Sequence, residues 1–138
     1  IFKTKKNNLL AGLKKKYERP GIIFQGFVPR DKLLGRYKDY SMLINTTRCD
    51  NFPLSIVEAG INRICVITTR IVGIATIYRD NEVVYFHDEK DLAEKILTIA
   101  RFPKDFDSFR DKLYQKTTGF TGRSLGTNGF AAWHEDPE

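Results

Sequence analysis

Short apolar runs alternate along this chain with segments in which apolar residues recur every three or four positions. The runs predict strands at residues 22–24, 41–45, 64–68 and 83–86. The periodic segments predict helices at residues 8–18, 29–37, 53–62, 74–79, 91–101 and 105–116, with Gly73 in the loop before one of them. Apolar strands joined by helices are typical of a parallel sheet that helices cover on both faces. The predicted fold is therefore α/β and Rossmann-like.

The chain is predicted to hold one domain and a tail. Residues 1–118 contain the strands and helices, whereas residues 119–138 are rich in glycine and lack an apolar period. We expect this tail to be loose, unless Phe130 and Trp133 dock it. Because the chain begins at Ile1 without a methionine, we expect a piece of a longer protein, with the domain truncated at its amino terminus.

Charge is unevenly distributed, although the overall composition is typical of a soluble globular domain with 41% apolar and 29% charged residues. Residues 1–48 carry a net charge of +9, and the remaining residues carry −3. A basic segment favours anionic partners, which include nucleic acid, an anionic membrane face and phosphorylated substrates. A solvated helix face explains the lysines of residues 14–16 equally well.

Metal sites and covalent catalysis have little support in the sequence. The two cysteines and two histidines match no zinc-binding spacing. Cys65 lies in an apolar run and is predicted to be a buried hydrophobe, and Cys49 lies in a polar loop without a histidine base nearby. Asp105 and Asp107 form a DxD sequence, but it stands at a helix start, where aspartates cap the helix. We expect no metal.

The segment from Asp50 to Glu58 is the most informative for function. It places one carboxylate in a strand-to-helix loop and a second inside the following helix. Pro53 suits the first helical position, which leaves the N–H groups of Leu54 and Ser55 to bind a phosphate or another anion.

That helix is predicted to have an apolar face with Leu54, Val57 and Ile61. Its polar face would carry Ser55, Glu58 and Asn62. Glu58 would then lie near the same cleft as Asp50. From spacing alone, Glu58 is interpreted more simply as a solvated helix residue.

At these residues the sequence resembles the group 1 glycosyltransferases of GT-B architecture, specifically their carboxy-terminal, donor-binding domain. The resemblance spans about residues 20–117. Its segments are residues 24–28, 34–40 and 42–44. Two acids follow, Asp50 and Glu58, with seven residues between them and Ala59 after the second.

The resemblance implies a role for each matching position. The acid at Glu58 would bind the ribose hydroxyls of a nucleoside diphosphate sugar, and the acid at Asp50 would lie beside the donor sugar and act in catalysis. The sugar and diphosphate would be held at Asn51, Phe52, Leu54 and Ser55. The nucleobase would lie by Phe27 and Val28, and Gly73 would belong to the same nucleotide-sugar site.

Three departures from the family pattern bear on activity. Asp50 stands where relatives usually have Glu, and residues 63–66 replace a Gly-Val-Pro-Val type of strand entry. A Gly-Gly pair followed by Glu is replaced at residues 72–73 and Thr76. The basic residues that clamp the diphosphate in relatives, and the acceptor-binding domain, would both precede Ile1.

The expected function is transfer of a sugar, with retention, from a nucleoside diphosphate sugar to a glycan or lipid-linked acceptor. No cofactor or metal is expected, and the chain alone should be inactive without its amino-terminal, acceptor-binding domain. We expect a cytoplasmic protein, with docking on an anionic membrane face, and no nucleic acid. The alternatives are a non-catalytic nucleotide-sugar-binding module and a basic nucleic-acid-binding α/β domain.

Overall fold

The computed structural model describes residues 2–50 and 52–120 of the chain. The α-helices in these residues are α1 (Phe2–Tyr17), α2 (Arg30–Arg36), α3 (Leu54–Ile61), α4 (Val72–Ile77), α5 (Glu89–Arg101) and α6 (Asp107–Gly119). Short 3₁₀ turns cover Tyr37–Asp39 and Pro103–Phe106. The strands are β1 (Met42–Asn45), β2 (Cys65–Thr69) and β3 (Val84–Phe86). The chain divides into two compact units between Leu33 and Leu34.

The three strands form one parallel sheet in the order β1-β2-β3. Met42 pairs with Cys65, and Ile67 pairs with Val84. The middle strand is buried over residues 65–68, as expected for a parallel strand that is covered on both faces. The sheet and its flanking helices confirm the predicted α/β, Rossmann-like fold.

Successive side chains of β3 pack against different helices, because side chains alternate between the two faces of a sheet. Val84 and Phe86 join Cys65 and Ile67 in an apolar cluster that includes Ile99 of α5. On the opposite face, the hydroxyl of Tyr85 donates a hydrogen bond of 2.6 Å to the Tyr78 carbonyl at the end of α4. Helices therefore cover both faces.

Helix α3 packs against β1, β2 and α6. The contact with α6 is close at Gly60, which lies against the buried side chains of Leu113 and Thr117. The absence of a side chain at position 60 lets the two helix backbones approach each other. This contact fixes α6 against the helix that follows the first strand.

The turn after α3 reverses the chain into β2 through a left-handed residue. Arg63 has a φ of 54°, its N–H donates to Gly60 O at 3.0 Å, and the Ile64 N–H donates to Ala59 O at 2.9 Å. This is the Schellman pattern of helix termination, which most often uses glycine. The Arg63 guanidinium stacks 4.0 Å from the ring centre of Tyr114 in α6.

The prediction of a strand at residues 22–24 is wrong. The Ile22 N–H donates to the Arg19 carbonyl at 2.9 Å across a turn in which Gly21 has a φ of 90°. Ile23 is 78% exposed, and none of the described strands pairs with this segment. A strand needs a neighbour to receive its backbone hydrogen bonds, and this one has only the local turn.

Several element boundaries also differ from the prediction. Gly73 lies inside α4 rather than in a loop, and α6 extends to Gly119. The predicted tail beyond position 120, with Phe130 and Trp133, lies outside the described residues. In the part of the chain that the structure describes, no helix is both long and apolar enough to cross a membrane.

Candidate functional site

The carboxyl ends of β1 and β2 are joined by side-chain hydrogen bonds. The Thr69 hydroxyl donates to the Thr47 carbonyl at 2.5 Å, and the Thr47 N–H donates to Oδ1 of Asn45 at 3.1 Å. The loop after β1 is thereby fixed against the end of β2. Ligands of doubly wound folds bind at this edge of the sheet.

The same loop continues to Asp50 and is held a second time near its end. Oδ1 of Asp50 accepts a hydrogen bond of 3.0 Å from the Phe52 N–H, and the Asp50 side chain is exposed. The Phe52 ring lies edge-on to Phe120, with 5.9 Å between ring centres, and Phe120 in turn lies edge-on to Tyr78 at 6.4 Å. Asn51 lies outside the described residues.

Helix α3 begins immediately after this loop. Pro53 is buried. It was predicted to be the first helical residue, but it is the N-cap residue, and it supplies no side-chain hydrogen bond to the helix. The first-turn N–H groups of Leu54 and Ser55 lie at the positive end of the helix dipole, which favours an anion. Leu54 is exposed and Ser55 is half-buried.

Glu58 is buried, with 7% of its surface exposed. The hydroxyl of Tyr37, 21 residues earlier in the chain, donates a hydrogen bond of 2.9 Å to its Oε2. The interpretation of Glu58 as a solvated helix residue is therefore wrong. The predicted apolar face is wrong in part, because Leu54 and Ile61 are exposed while Val57 is buried.

The burial of this carboxylate has a chemical consequence. A buried carboxylate is unfavourable unless donors satisfy it, and a buried phenol needs an acceptor, so Tyr37 and Glu58 stabilise each other. A carboxylate can accept about four hydrogen bonds.

A comparison with known protein families identifies the family of this chain. The sequence profile of the family described as Glycosyl transferases group 1 matches residues 4–101, which is more than half of the chain. The chain belongs to the group 1 glycosyl transferases. Its function is accordingly in glycosyl transfer, and its sheet and helices are consistent with half of a GT-B enzyme. A search of curated proteins gives no match.

The residues predicted for the site of this glycosyl transferase lie in different segments of the fold. One segment is the connection between β1 and β2. It contains Asp50 and Phe52 in the loop before α3, and Glu58 in α3 itself. Phe27, which is 90% exposed, and the half-buried Val28 belong to the unit that ends at Leu33. Their role beside a nucleobase stays a prediction.

Gly73 follows β2 and lies in the first turn of α4. Its carbonyl accepts a hydrogen bond of 2.8 Å from the hydroxyl of Thr76. Thr76, which stands where relatives have Glu, therefore makes this hydrogen bond within its own helix. Gly73 is half-buried. The role of Gly73 in nucleotide-sugar binding also stays a prediction.

Tyr37 contacts Glu58 and Phe120 contacts Phe52, although neither Tyr37 nor Phe120 was predicted at the site. Tyr37 could be recognised only as an apolar position of the second helix, since its partner is distant in sequence. Phe120 fell in the segment predicted to be a loose tail.

Two ionisable groups outside the candidate site, Cys65 and Asp107, are held by their surroundings in the glycosyl transferase. Cys65 is buried, as predicted, and burial raises the pKa of its thiol to about 11. Asp107 of the DxD sequence pairs with Arg110 at 2.5 Å. Over residues 2–50 and 52–120, no three or more His, Cys, Asp or Glu side chains cluster in a way that could hold a metal ion.

Proposed function

We propose that this glycosyl transferase chain is the donor-binding domain of a retaining GT-B enzyme. It would transfer a sugar from a nucleoside diphosphate sugar to a glycan or lipid-linked acceptor. The observation that supports this most is the burial of Glu58 beside Tyr37, on the helix that begins after the carboxyl end of β1, where ligands of such folds bind. A solvated surface carboxylate would need neither the burial nor the phenol.

Glu58 would accept hydrogen bonds from the ribose hydroxyls of the donor. Such bonds are charge-assisted and about twice as strong as neutral ones. The low exposure of Glu58 strengthens them further, because fewer water molecules compete for the carboxylate. This gives selectivity for a ribonucleotide over any other diphosphate.

The amino terminus of α3 would hold the diphosphate. We assign this role to the N–H groups of Leu54 and Ser55, since the Phe52 N–H is already donated to Asp50. Negative charge accumulates on the diphosphate as the bond to the sugar breaks, so these donors would stabilise the transition state more than the ground state. Asp50 would act beside the sugar, and Asn51 would complete the loop.

The remaining parts of the proposal concern partners. No metal or cofactor would be needed. The helix N–H groups, together with the basic side chains that clamp the diphosphate in relatives, would neutralise the leaving diphosphate. A separate amino-terminal domain would bind the acceptor. The net charge of +9 on residues 1–48 would favour docking on the anionic, cytoplasmic face of a membrane.

One observation favours a second candidate, a nucleotide-sugar-binding module without catalysis. Thr76 replaces the family's Glu, and its hydroxyl bonds to Gly73 O within α4. A threonine there cannot supply the charge of a carboxylate. Turnover by the full-length protein would exclude this candidate, and donor binding without turnover would establish it.

The test is a titration of the chain with a panel of nucleoside diphosphates, followed by heteronuclear NMR. We expect amide shifts over residues 50–58 and 68–74, and shifts at residues 26–29 would support the nucleobase prediction. Glu58→Ala should weaken binding about ten- to a hundredfold. The control is Glu89→Ala, which removes an exposed carboxylate from the start of α5.

Two results would overturn the proposal. One is binding by Glu58→Ala that equals the parent while circular dichroism shows an intact fold. The other is a set of shifts confined to residues 3–19, which would mean that the ligand binds by charge alone. Either result would leave the family membership unchanged.

A further inference from the structure

Tyr37 and Glu58 lie on either side of β1 in the chain and meet inside the protein. Tyr37 stands in the 3₁₀ turn before β1, and Glu58 stands on α3 after it. Tyr37 is 5% exposed, and its hydroxyl donates to Oε2 of Glu58 at 2.9 Å. The contact joins two elements that are otherwise connected through the strand and its loop.

We propose that Tyr37 is a positioning residue for nucleotide recognition. Its hydroxyl fixes one oxygen of the Glu58 carboxylate and thereby sets the direction from which the ribose hydroxyls meet that carboxylate. This inference rests on the proposed function, in which Glu58 binds the ribose. Tyr37 itself touches neither the sugar nor the reacting atoms.

The physical reason is the flexibility of a glutamate side chain. Ordering its rotatable bonds when the ligand binds costs conformational entropy, and that cost lowers the affinity. A hydrogen bond that already holds the carboxylate removes part of the cost before the nucleotide arrives. The buried Tyr37 ring is itself held by packing, so it is a rigid support for a binding group.

Tyr40 provides a matched control three residues further along. It is 44% exposed, and its hydroxyl accepts a hydrogen bond of 2.8 Å from Arg36 rather than donating to Glu58. Tyr40→Phe therefore removes the same atom from a neighbouring tyrosine without touching the carboxylate. Any general effect of losing a phenol in this region will appear in both variants.

The experiment measures the affinity of the chain for two probes. One is a nucleoside diphosphate, and the other is its 2′,3′-dideoxy analogue, which lacks the hydroxyls that Glu58 would bind. Tyr37→Phe should weaken binding of the ribonucleotide about three- to tenfold and leave the dideoxy analogue unchanged. Tyr40→Phe should change neither affinity.

A double-variant cycle identifies the route of the effect. In a Glu58→Ala background, Tyr37→Phe should cause no further loss, because the group that it positions is already absent. Thermal unfolding followed by circular dichroism confirms that each variant is folded. If Tyr37→Phe does not fold, Glu58→Gln is the second variant, because its amide oxygen still accepts a hydrogen bond from Tyr37. Glu58→Gln should lose less nucleotide affinity than Glu58→Ala. Equal losses would contradict the inference.

The failures of the inference and of the proposed function are distinguishable. If Glu58→Ala binds the ribonucleotide like the parent, the proposed function is wrong and the inference falls with it. If Glu58→Ala weakens only the ribonucleotide while Tyr37→Phe has no effect, the inference alone is wrong. If Tyr37→Phe weakens the binding of both probes equally, Tyr37 is only a packing residue, and the inference is again wrong.

Discussion

Gly60 of α3 lies so close to Thr117 of α6 that a β carbon at position 60 would be 2.6 Å from Thr117 Cγ2. The same β carbon would be 3.0 Å from Cγ of Leu113. A β carbon does not approach another residue's carbon to 2.6 Å, so the Thr117 side chain or one of the two helices would have to shift. The contact therefore sets the distance between α3 and α6.

Gly60→Ala should destabilise the protein, although alanine is the better helix former. Overpacking of this kind costs about 1 to 3 kcal/mol, which exceeds the roughly 1 kcal/mol that alanine gains over glycine in a helix. Denaturant unfolding measures the difference. Gly35→Ala in α2 is the control, because nothing lies within 4 Å of its added β carbon, and it should be neutral or stabilising. Thr117→Ala should recover part of the loss in a double variant, and additive losses would contradict the steric explanation.

The left-handed conformation of Arg63 predicts an unusual order of stabilities. Arg63→Ala keeps the strained φ of 54° and loses the contacts with Tyr114 and Asp111 of α6. Arg63→Gly loses the same contacts but relieves the strain. The glycine variant should therefore be more stable than the alanine variant by about 1 kcal/mol, measured by thermal or denaturant unfolding. Equal stabilities would mean that the turn is not left-handed in solution.

Asp91 gives a prediction about pH. Hydrogen bonding from Lys95 at 2.7 Å lowers the pKa of the Asp91 carboxyl from its ordinary value of 3.8. Because the pKa is lower in the folded state, ionised Asp91 stabilises the fold above about pH 4, and this stabilisation is lost as the pH falls through the folded value.

Asp91→Asn should accordingly lower the midpoint of thermal unfolding near neutral pH. The difference from the parent should shrink below about pH 4 and vanish once the parent carboxyl is protonated. Glu89→Gln, in the same turn of α5 and exposed, is the control for the loss of a carboxylate that does not bond to Lys95. A difference that is constant from neutral to acidic pH would assign the effect to packing instead.

Asp50 should affect transfer more than binding. In the proposed site it faces the sugar and the phosphates, where its charge brings repulsion as well as hydrogen bonding. Asp50→Ala should leave the affinity for a free nucleoside diphosphate nearly unchanged and lower sugar transfer by the intact enzyme. Asp50→Asn is the companion variant, since its side-chain oxygen can still accept the Phe52 N–H. A loss of nucleotide affinity as large as that of Glu58→Ala would contradict this division of roles.

The sheet was largely predictable because its strands are local apolar runs. The predicted strand at residues 64–68 and β2 differ by one position at each end, and α5 begins two residues before its prediction. Residues 22–24 have the same apolar character, yet they form no strand, because pairing depends on a neighbour that local composition does not reveal. Gly73 was placed in a loop because glycine disfavours helices, and packing of the short α4 against the sheet outweighs that preference.

The site was less predictable than the sheet. Spacing identified the loop at Asp50 and the start of α3, since both follow from neighbours in sequence. It could not identify the burial of Glu58, because six of the eight residues of α3 are apolar or glycine and every face of the helix looks similar. The Tyr37 hydroxyl that accompanies the burial comes from 21 residues away, which no local pattern encodes.

The two cysteines differ in a way that has a practical use. Cys49 is exposed and stands next to Asp50 in the loop after β1, whereas Cys65 is buried and its pKa is raised to about 11. A thiol-directed fluorophore or spin label should therefore attach to Cys49 alone at neutral pH, without any substitution in the protein. The natural sequence thus carries a selective attachment point for a reporter beside the candidate donor site, where ligand binding can be followed by optical or magnetic spectroscopy.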